Sequence, residues 1–382
     1  MSVLKELVEY YKVSVVLCTA TQLPLEINNQ DLRGFELGEI RHIVPKELAA
    51  NHFQMIQRVK YDLNFGTAWT WEQLVEHLQA NCQKYNHQQA LIILNTRRDS
   101  LEVVDAVQRQ FRLPNGNKFP EEAIFHLSTL LCGAHRRRVL WQVRRRLKAK
   151  QPCILISTQV VEAGVDLDFP LVYRALAPLD RIVQAAGRCN REFTRDPEAS
   201  QVVIFKGGKV PPDSAYRTAI DQAESLLKRA KYRQQLDENN PELFERYFRE
   251  VYKGVPPDTE NVQTYRKELD YGEVASRFRL IKDDTTPLII KYFNRKGQGM
   301  IEKLQRQTQK SNDFKIDYRK LQPYMVNLRH RDFEKAKKDL LCEELAPGTG
   351  IWIWRGNYDR VLKGILQGDD AIIYGDPADL FF

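Results

Sequence analysis

The feature that most constrains the fold is an alternation of short apolar runs with longer amphipathic stretches in the first half of the chain. The apolar runs occupy residues 13–18, 90–94, Cys153–Ser157 and Gln201–Phe205, and in each of them apolar side chains stand next to one another. Such strands are buried on both faces, as in a parallel sheet that is covered by helices. The amphipathic stretch 71–85 predicts one of these helices. This half is therefore predicted to be an α/β domain with a parallel sheet flanked by helices.

The second half has a different pattern, which indicates a separate domain. Glycine and proline pairs interrupt the chain at 207–213, so a boundary is predicted there. Two helical stretches follow, at 214–235 and 241–252. Beyond them we predict a smaller α+β or β-rich domain. Its predicted strands are 278–281, 287–293, 324–328, 351–354 and 371–374.

Composition limits the kind of partner and the compartment. Lys and Arg number 58 against 50 Asp and Glu, a net charge of +8, which favours a polyanionic partner. Six cysteines without a C-x-x-C pair predict neither a disulfide framework nor a metal site, and fit a reducing cytosol. The early apolar run is too short for a membrane span, and acidic residues precede it. We therefore expect a cytoplasmic protein without membrane contact.

One stretch, residues 136–150, holds eight basic residues and no acidic one. Its apolar side chains share one helical face, so a helix with a basic outer face is predicted. A solvated surface is the simpler interpretation, and direct nucleic-acid contact is the alternative. His126 and His135 lie nearby without acidic or cysteine partners at metal-ligand spacing, so we expect them to be structural.

The first of two polar segments that carry chemistry spans residues 154–168. A buried strand ends in Thr158 and Gln159, and the chain then turns toward Asp166 and Asp168. This arrangement places short polar groups at the carboxyl edge of the sheet, where open α/β folds bind ligands. The alternative is that the two carboxylates are an ordinary loop pair that caps the next element.

The second polar segment contains Gln184, Arg188 and Arg191. In a helix, this spacing brings the three side chains to one face within two turns. Two adjacent guanidiniums repel each other unless an anion lies between them, and their planar forks fit phosphate oxygens. A phosphate chain is therefore the predicted ligand.

Together, residues 154–168 and 184–191 resemble motifs V and VI of superfamily 2 helicases. The tripeptide Thr19-Ala20-Thr21 resembles motif III, and residues 91–97, followed by Asp99, resemble motif IV. The four motifs occur in the order that the superfamily requires.

More narrowly, residues 157–169 with 184–191 resemble the helicase-nuclease of type I CRISPR systems, which is recruited to degrade target DNA. Residues 126–136 are similar to the additional strand-contacting motif of that family. The resemblance implies a RecA-like motor domain that works with ATP and a single strand of DNA in antiviral defence.

The resemblance also implies the roles of individual residues. Gln184, Arg188 and Arg191 would face the ATP phosphates, with Arg191 as the arginine finger. Gly164 and Asp166 would approach the nucleotide. Three residues, Thr19, Ala20 and Thr21, would couple the nucleotide state to the DNA strand. The residues that would hold its phosphate backbone are Asn95, Thr96, Arg97, Thr158 and Gln159.

A complete motor also needs a G-x-x-x-x-G-K-[ST] loop, which does not occur in this sequence, and an Asp-Glu pair that holds Mg²⁺. The one adjacent Asp-Glu pair, Asp237-Glu238, lies between the two predicted helical stretches and not after a buried strand. No His-Asp doublet, which the nuclease would need, occurs either. We therefore expect ATP and Mg²⁺ to bind only when a partner chain supplies the first motor domain. The surveillance complex of CRISPR defence is a further expected partner.

These expectations give a domain assignment. Residues 1–24 are predicted to be a remnant of the first RecA-like domain and 25–208 the second RecA-like domain. A helical linker is predicted at 209–258 and a C-terminal accessory domain at 259–382. Two alternatives to a motor half stay open, a non-catalytic module that binds single strands and an inactive gene fragment.

Overall fold

The chain divides into two compact units in a computed structural model. Unit 1 is Met1–Thr96 with Glu162–Ile281, and unit 2 is Arg97–Val161 with Lys282–Phe382. The structure describes residues 2–18, 26, 35–36, 38–45, 48, 52, 57–113, 116–162, 164–211, 214–255, 258, 260–278, 285–310 and 317–366. The domain bounds given above stay a prediction.

Unit 1 holds a parallel sheet of four strands in the order β1-β6-β5-β2, and unit 2 holds the parallel pair β4 and β3. Every residue of β2 to β6 is buried, and this is why their side chains are apolar at consecutive positions. The predicted fold class, a parallel sheet flanked by helices, is confirmed. The strands are β1 (Lys60–Asn64), β2 (Gln89–Ile93), β3 (Ile124–Leu127), β4 (Cys153–Ser157), β5 (Leu171–Ala175) and β6 (Gln201–Phe205).

Unit 1 carries its helices around four of these strands. The start of α2 is fixed by a capping box. The Thr70 hydroxyl accepts a hydrogen bond from the Gln73 N–H, and the Gln73 side-chain oxygen accepts one from the Thr70 N–H. In α2, Asn81 donates a 2.8 Å hydrogen bond to the hydroxyl of Tyr173 in β5, which ties the helix to the sheet. The helices are α1 (Ser2–Glu9), α2 (Trp71–Lys84), α5 (Leu179–Ala186), α6 (Ser214–Leu227), α7 (Ala230–Asp237), α8 (Pro241–Gly254), α9 (Val262–Lys267) and α10 (Tyr271–Arg277).

Unit 2 combines the pair β3 and β4 with the smaller sheet that was predicted for the C-terminal part. The order of that mixed sheet is β8-β7-β10-β9, and β11 pairs with β12 in a separate hairpin. Its strands are β7 (Thr285–Ile290), β8 (Met325–Arg329), β9 (Cys342–Glu344), β10 (Trp352–Trp354), β11 (Tyr358–Asp359) and β12 (Gly364–Ile365). The helices of the unit are α3 (Arg97–Gln110), α4 (Gly133–Lys148), α11 (Arg295–Lys310), α12 (Tyr318–Leu321) and α13 (His330–Lys338).

The β11–β12 hairpin is fastened to the chain around α4. The Cys132 N–H donates to the Tyr358 hydroxyl at 3.1 Å, and that hydroxyl lies 3.0 Å from His135 Nδ1. A further hydrogen bond runs from the Ile365 N–H to the Leu130 carbonyl at 3.0 Å. The Cα atom of Gly364 lies so close to this carbonyl that a Cβ would stand 2.4 Å from its oxygen. Only glycine fits this contact.

Two sequence predictions of local structure differ from the fold, and two predicted strands cannot be compared with it in full. Residues 13–18 form no strand: Val16 is 71% exposed, and no described strand pairs with this run. An apolar strand without a paired neighbour has nothing to satisfy its backbone groups. The helix predicted at 214–235 is two helices, because Arg229 adopts an extended conformation between them. Residues 279–281 and 371–374 lie outside the described residues.

Within the described ranges, no helix combines the length and the apolar character needed to cross a bilayer.

Candidate functional site

The turn after α5 places the two arginines of the second polar segment. The helix ends at Ala186, so Arg188 and Arg191 lie beyond it and the predicted common helical face is wrong. The Gly187 N–H still donates to the Val183 carbonyl at 2.9 Å. The chain then turns at Asn190, whose φ is +47°. This turn, and not a continued helix, sets the directions of the two guanidiniums.

Hydrogen bonds join this turn to the end of the first polar segment. The Phe169 N–H donates to the Arg188 carbonyl at 2.9 Å, and the Asn190 N–H donates back to the Phe169 carbonyl at 3.0 Å. The Asn190 side chain also donates to the Arg58 carbonyl at 2.8 Å and accepts from the Arg195 N–H at 3.0 Å. The two polar segments therefore meet in unit 1, as expected for one site.

Asp166 and Asp168 have different roles at this junction. Asp168 accepts from the Arg191 backbone N–H and from the Arg195 guanidinium, each at 2.7 Å. Asp166 forms an ion pair with the Arg191 guanidinium at 2.8 Å, and its side chain is 82% exposed. Asp168 thus fixes the backbone, whereas Asp166 pairs with the charged end of Arg191.

Arg188 is held from the inside of the unit. The residue is 7% exposed and its Nη2 donates to the Glu162 carbonyl. Burial lowers the pKa of Arg188, and the positive charge of Arg191 acts in the same direction. A guanidinium of Arg58 also approaches, 3.6 Å from where a Cβ on Gly187 would lie. Three cations therefore surround this turn, and an anion placed there would relieve their repulsion.

A buried ion pair involves Glu162, the residue whose carbonyl binds Arg188, and it was not predicted from the sequence. Arg174 Nε lies 2.9 Å from Glu162 Oε1, and neither side chain is exposed. Burial raises the pKa of Glu162, whereas Arg174 and Arg181 oppose that shift. Arg174 also donates to Asn95 Oδ1 at 2.7 Å. An arginine within the otherwise apolar run 171–175 was the available signal, because a buried cation requires a partner.

The remaining predicted nucleotide-site residues lie in the same unit. Gln184 is half-buried, and its Oε1 accepts from Arg181 at 3.2 Å. Gly164 is exposed with a φ of +69°, and no heavy atom lies within 4 Å of where its Cβ would be. This open, left-handed position lets another group come close to the backbone.

The residues predicted to hold a strand are divided between the two units. In unit 1, Asn95 is 7% exposed: its amide donates to the Leu176 carbonyl at 2.9 Å, and its oxygen accepts from Arg174 and Tyr216. Thr96, the next residue, is half-buried. The Asn95 side chain therefore forms part of the internal network that includes the buried ion pair.

In unit 2, Arg97 forms an ion pair with Asp332 at 3.1 Å, and burial lowers its pKa. Thr158 is 4% exposed and follows the buried end of β4, where its N–H donates to the Leu127 carbonyl at 3.1 Å. Gln159, at the start of a short 3₁₀ turn, is half-buried. The tripeptide Thr19-Ala20-Thr21 lies outside the described residues.

Among the described residues, no group of three or more His, Cys, Asp or Glu side chains has an arrangement that would hold a metal ion. The charged groups that surround the turn after α5 are guanidiniums and one exposed carboxylate, that of Asp166. Such a set binds and orients phosphate oxygens.

Comparison with known proteins finds that part of the chain is similar to one protein family. Residues 86–194 match the family described as CRISPR-associated nuclease/helicase Cas3, C-terminal. The Cas3 nuclease/helicase of Haloferax volcanii is 50% identical over 70 residues, which are 18% of this chain and 8% of that protein. That of Methanothermobacter thermautotrophicus is 27% identical over 191 residues, 48% of this chain and 23% of that protein. The chain thus spans less than a quarter of either relative.

The fold has a relative among solved structures. The crystal structure of T. fusca Cas3-ADP matches 83% of this chain and 40% of that chain, with a TM-score of 0.53 and 14% sequence identity. At that identity the likeness concerns the fold alone.

Proposed function

We propose, from the match of residues 86–194 to the family described as CRISPR-associated nuclease/helicase Cas3, C-terminal, that the chain is the C-terminal half of an ATP-dependent motor that moves along single-stranded DNA. Residues 25–208 act as its second RecA-like domain, between a remnant of the first at 1–24 and a linker at 209–258. Residues 259–382 form the accessory domain. The activity serves CRISPR antiviral defence in the cytoplasm.

The observation that carries the proposal is the pairing of Arg191 with Asp166 beside the buried Arg188. Asp168 fixes the backbone of Arg191, so the point from which the Arg191 side chain extends is well defined. Its partner Asp166 is largely in solvent, and ion pairs of that kind contribute only about 0–1 kcal/mol. A phosphate chain that carries several charges can therefore take the guanidinium from Asp166 at little cost.

Arg191 acts as the arginine finger in this mechanism. When ATP is hydrolysed, negative charge accumulates on the transferred phosphoryl group, and a guanidinium fork beside its oxygens stabilises that charge. Arg188 provides a second, immobile cation, and Gln184 a polar contact to the phosphates. Gly164 lets the backbone approach the nucleotide, because its position has no side chain.

The strand is held through its sugar-phosphate backbone, which gives a grip that is independent of sequence. Thr96, Arg97, Thr158 and Gln159 serve as contacts, and Asn95 supports them through its network with Arg174. The coupling of the nucleotide state to this grip is assigned to Thr19, Ala20 and Thr21.

Hydrolysis needs a G-x-x-x-x-G-K-[ST] loop, which the 382-residue sequence does not contain, and an Asp-Glu pair placed to hold Mg²⁺. The one Asp-Glu pair of the sequence, Asp237-Glu238, lies at the end of helix α7, where Asp237 accepts from the Tyr61 N–H at 3.3 Å. We assign these groups to a first motor domain that binds this chain as a partner. The CRISPR surveillance complex is assigned as the further partner that brings the motor to its DNA.

The test is an ATPase assay of the chain mixed with the first motor domain of a Cas3 protein, with and without single-stranded DNA. The expected result is hydrolysis that requires both polypeptides and rises when DNA is added. A mixture that hydrolyses no ATP, although both polypeptides are folded, would contradict the motor. The chain would then be a strand-binding module if it binds DNA with a steep salt dependence, and an inactive fragment if it binds none.

A further inference from the structure

Helix α4 has a buried face and an exposed face of different chemistry. His135, Val139 and Val143 are buried. The opposite side, called here the α4 basic face, consists of Arg137, Trp141, Arg144, Arg145 and Lys148, all of them exposed. Their spacing of three or four residues aligns them along the helix, over about 16 Å at roughly 1.5 Å per residue.

Three cations of the α4 basic face, Arg137, Arg145 and Lys148, form no ion pair with the described residues of unit 2. Residues 136–150 contain no acidic residue. An anionic partner that binds these three cations would therefore not have to displace a carboxylate of the described part of unit 2.

Two other arginines of α4 contact aromatic rings of unit 2. The Arg138 guanidinium lies over the Phe293 ring, 5.3 Å from its centroid. Arg146 lies over the Phe125 ring and donates to the Pro152 carbonyl at 3.2 Å. These two arginines therefore have partners within unit 2, although Arg138 is also exposed.

An exposed tryptophan lies in the middle of the α4 basic face. Trp141 is 58% exposed, and the Arg145 guanidinium lies 5.1 Å from the centroid of its ring. An indole beside guanidiniums suits a single-stranded nucleic acid, since an unpaired base stacks on the ring while its phosphates meet the cations. In a duplex, the faces of the bases are covered by their neighbours. An acidic protein surface would match the charges but has no base to stack on Trp141.

We propose that the α4 basic face is a second contact surface for single-stranded nucleic acid, with a base stacked on Trp141 and phosphates on Arg137, Arg145 and Lys148. The contact is independent of sequence. It does not involve the residues assigned above to the strand grip, and it requires no ATP, so it stands or fails separately from the proposed motor.

The experiment measures binding of the full chain to a fluorescent oligothymidylate by anisotropy over a range of salt concentrations. Trp141→Ala is expected to weaken binding about tenfold, because stacking of a base is lost. The double change Arg137→Gln and Arg145→Gln is expected to reduce the slope of log affinity against log salt by about 1.4, since each phosphate contact on a single strand contributes about 0.7. All three side chains are exposed, so the thermal unfolding temperature should be unchanged.

Matched controls separate this surface from general effects. Tyr318, 57% exposed in the same unit, is changed to Ala as the aromatic control. Arg229 and Lys231, exposed in unit 1, are changed to Gln as the charge control. Both controls should bind like the unchanged protein. The proposal is overturned if Trp141→Ala binds normally, if it weakens duplex binding equally, or if polyglutamate competes as well as unlabelled oligothymidylate.

Discussion

Arg191 Nη2 lies 2.8 Å from Asp166 Oδ1, in an ion pair that is open to solvent on the aspartate side. Two residues further on, the carboxylate of Asp168 is only 18% exposed and binds the backbone N–H of Arg191. Asp168 therefore fixes the position of the Arg191 backbone, and Asp166 holds the Arg191 guanidinium weakly. A side chain that must reach a phosphoryl group during hydrolysis needs both properties.

These two carboxylates should differ in their effect on stability. Asp168→Ala removes the acceptor of the Arg191 N–H and the partner of the Arg195 guanidinium. We expect it to lower the free energy of unfolding by about 2–3 kcal/mol, and Asp166→Ala by less than about 1 kcal/mol. Urea denaturation of the two variants measures the difference. Equal losses would mean that the two carboxylates do not have these separate roles.

Removal of one partner of the buried Glu162–Arg174 ion pair should destabilise the protein more than removal of both. Glu162→Ala leaves the Arg174 cation buried without its main partner, and we expect the free energy of unfolding to fall by about 3–5 kcal/mol. Joining Glu162→Leu with Arg174→Met removes both charges and should recover most of that loss. Glu245→Ala, in the exposed pair with Arg249, is the control and should cost less than about 1 kcal/mol. A double variant no more stable than Glu162→Ala would contradict this prediction.

Stability should fall in mildly acidic solution because of two histidines of unit 2. Burial lowers the pKa values of His126 and His135 from 6.5 to about 4. Between these values the unfolded chain binds protons that the folded chain does not. The contribution of the two neutral histidines to the free energy of unfolding is thus complete above about pH 6.5. It is lost toward pH 4, by about 1.4 kcal/mol per pH unit for each histidine. Urea denaturation at several pH values measures the slope, and His126→Gln with His135→Gln should flatten it. A slope that these changes leave unaltered would place its origin elsewhere.

Two glycines with nearly the same backbone conformation should tolerate alanine differently. Gly364 has a φ of +78°, and a Cβ there would stand 2.4 Å from the Leu130 oxygen, whereas Gly348 has a φ of +79° and open space. Gly348→Ala should cost only the left-handed backbone strain, about 1 kcal/mol. Gly364→Ala should cost at least about 2 kcal/mol more, because the β11–β12 hairpin must move away. Thermal unfolding of both variants compares them, and similar melting temperatures would show that the hairpin is not held closely.

The strands that the sequence predicts best are those whose burial is complete and purely apolar. Strands β4 and β6 begin and end where their apolar runs do. Strand β1 was missed because it is only partly buried at the edge of the sheet and alternates apolar with polar residues. Strand β5 was missed because Arg174 interrupts its apolar run. The burial of that charge depends on Glu162, which no local pattern connects to it.

In the candidate site too, features that depend on nearby residues were predicted, and features that depend on residues far along the chain were not. The order and spacing of the polar segments predicted that 154–168 and 184–191 belong together. The end of α5 at Ala186 was not predicted, because it is determined by pairing of the following turn with Phe169, about twenty residues earlier. The engagement of Asn95 by Arg174 and Tyr216 likewise depends on residues far along the chain.

The most direct test of the proposed motor is the rate of ATP hydrolysis when Arg191→Ala replaces the unchanged chain in the DNA-containing mixture with a first motor domain. We expect kcat to fall by roughly 10³ to 10⁵, as for loss of an arginine finger, with little change in KM. Arg249→Ala, which removes an exposed arginine of α8, should leave both values unchanged. If Arg191→Ala hydrolysed ATP at the unchanged rate, Arg191 would not be the arginine finger and the central claim would be wrong.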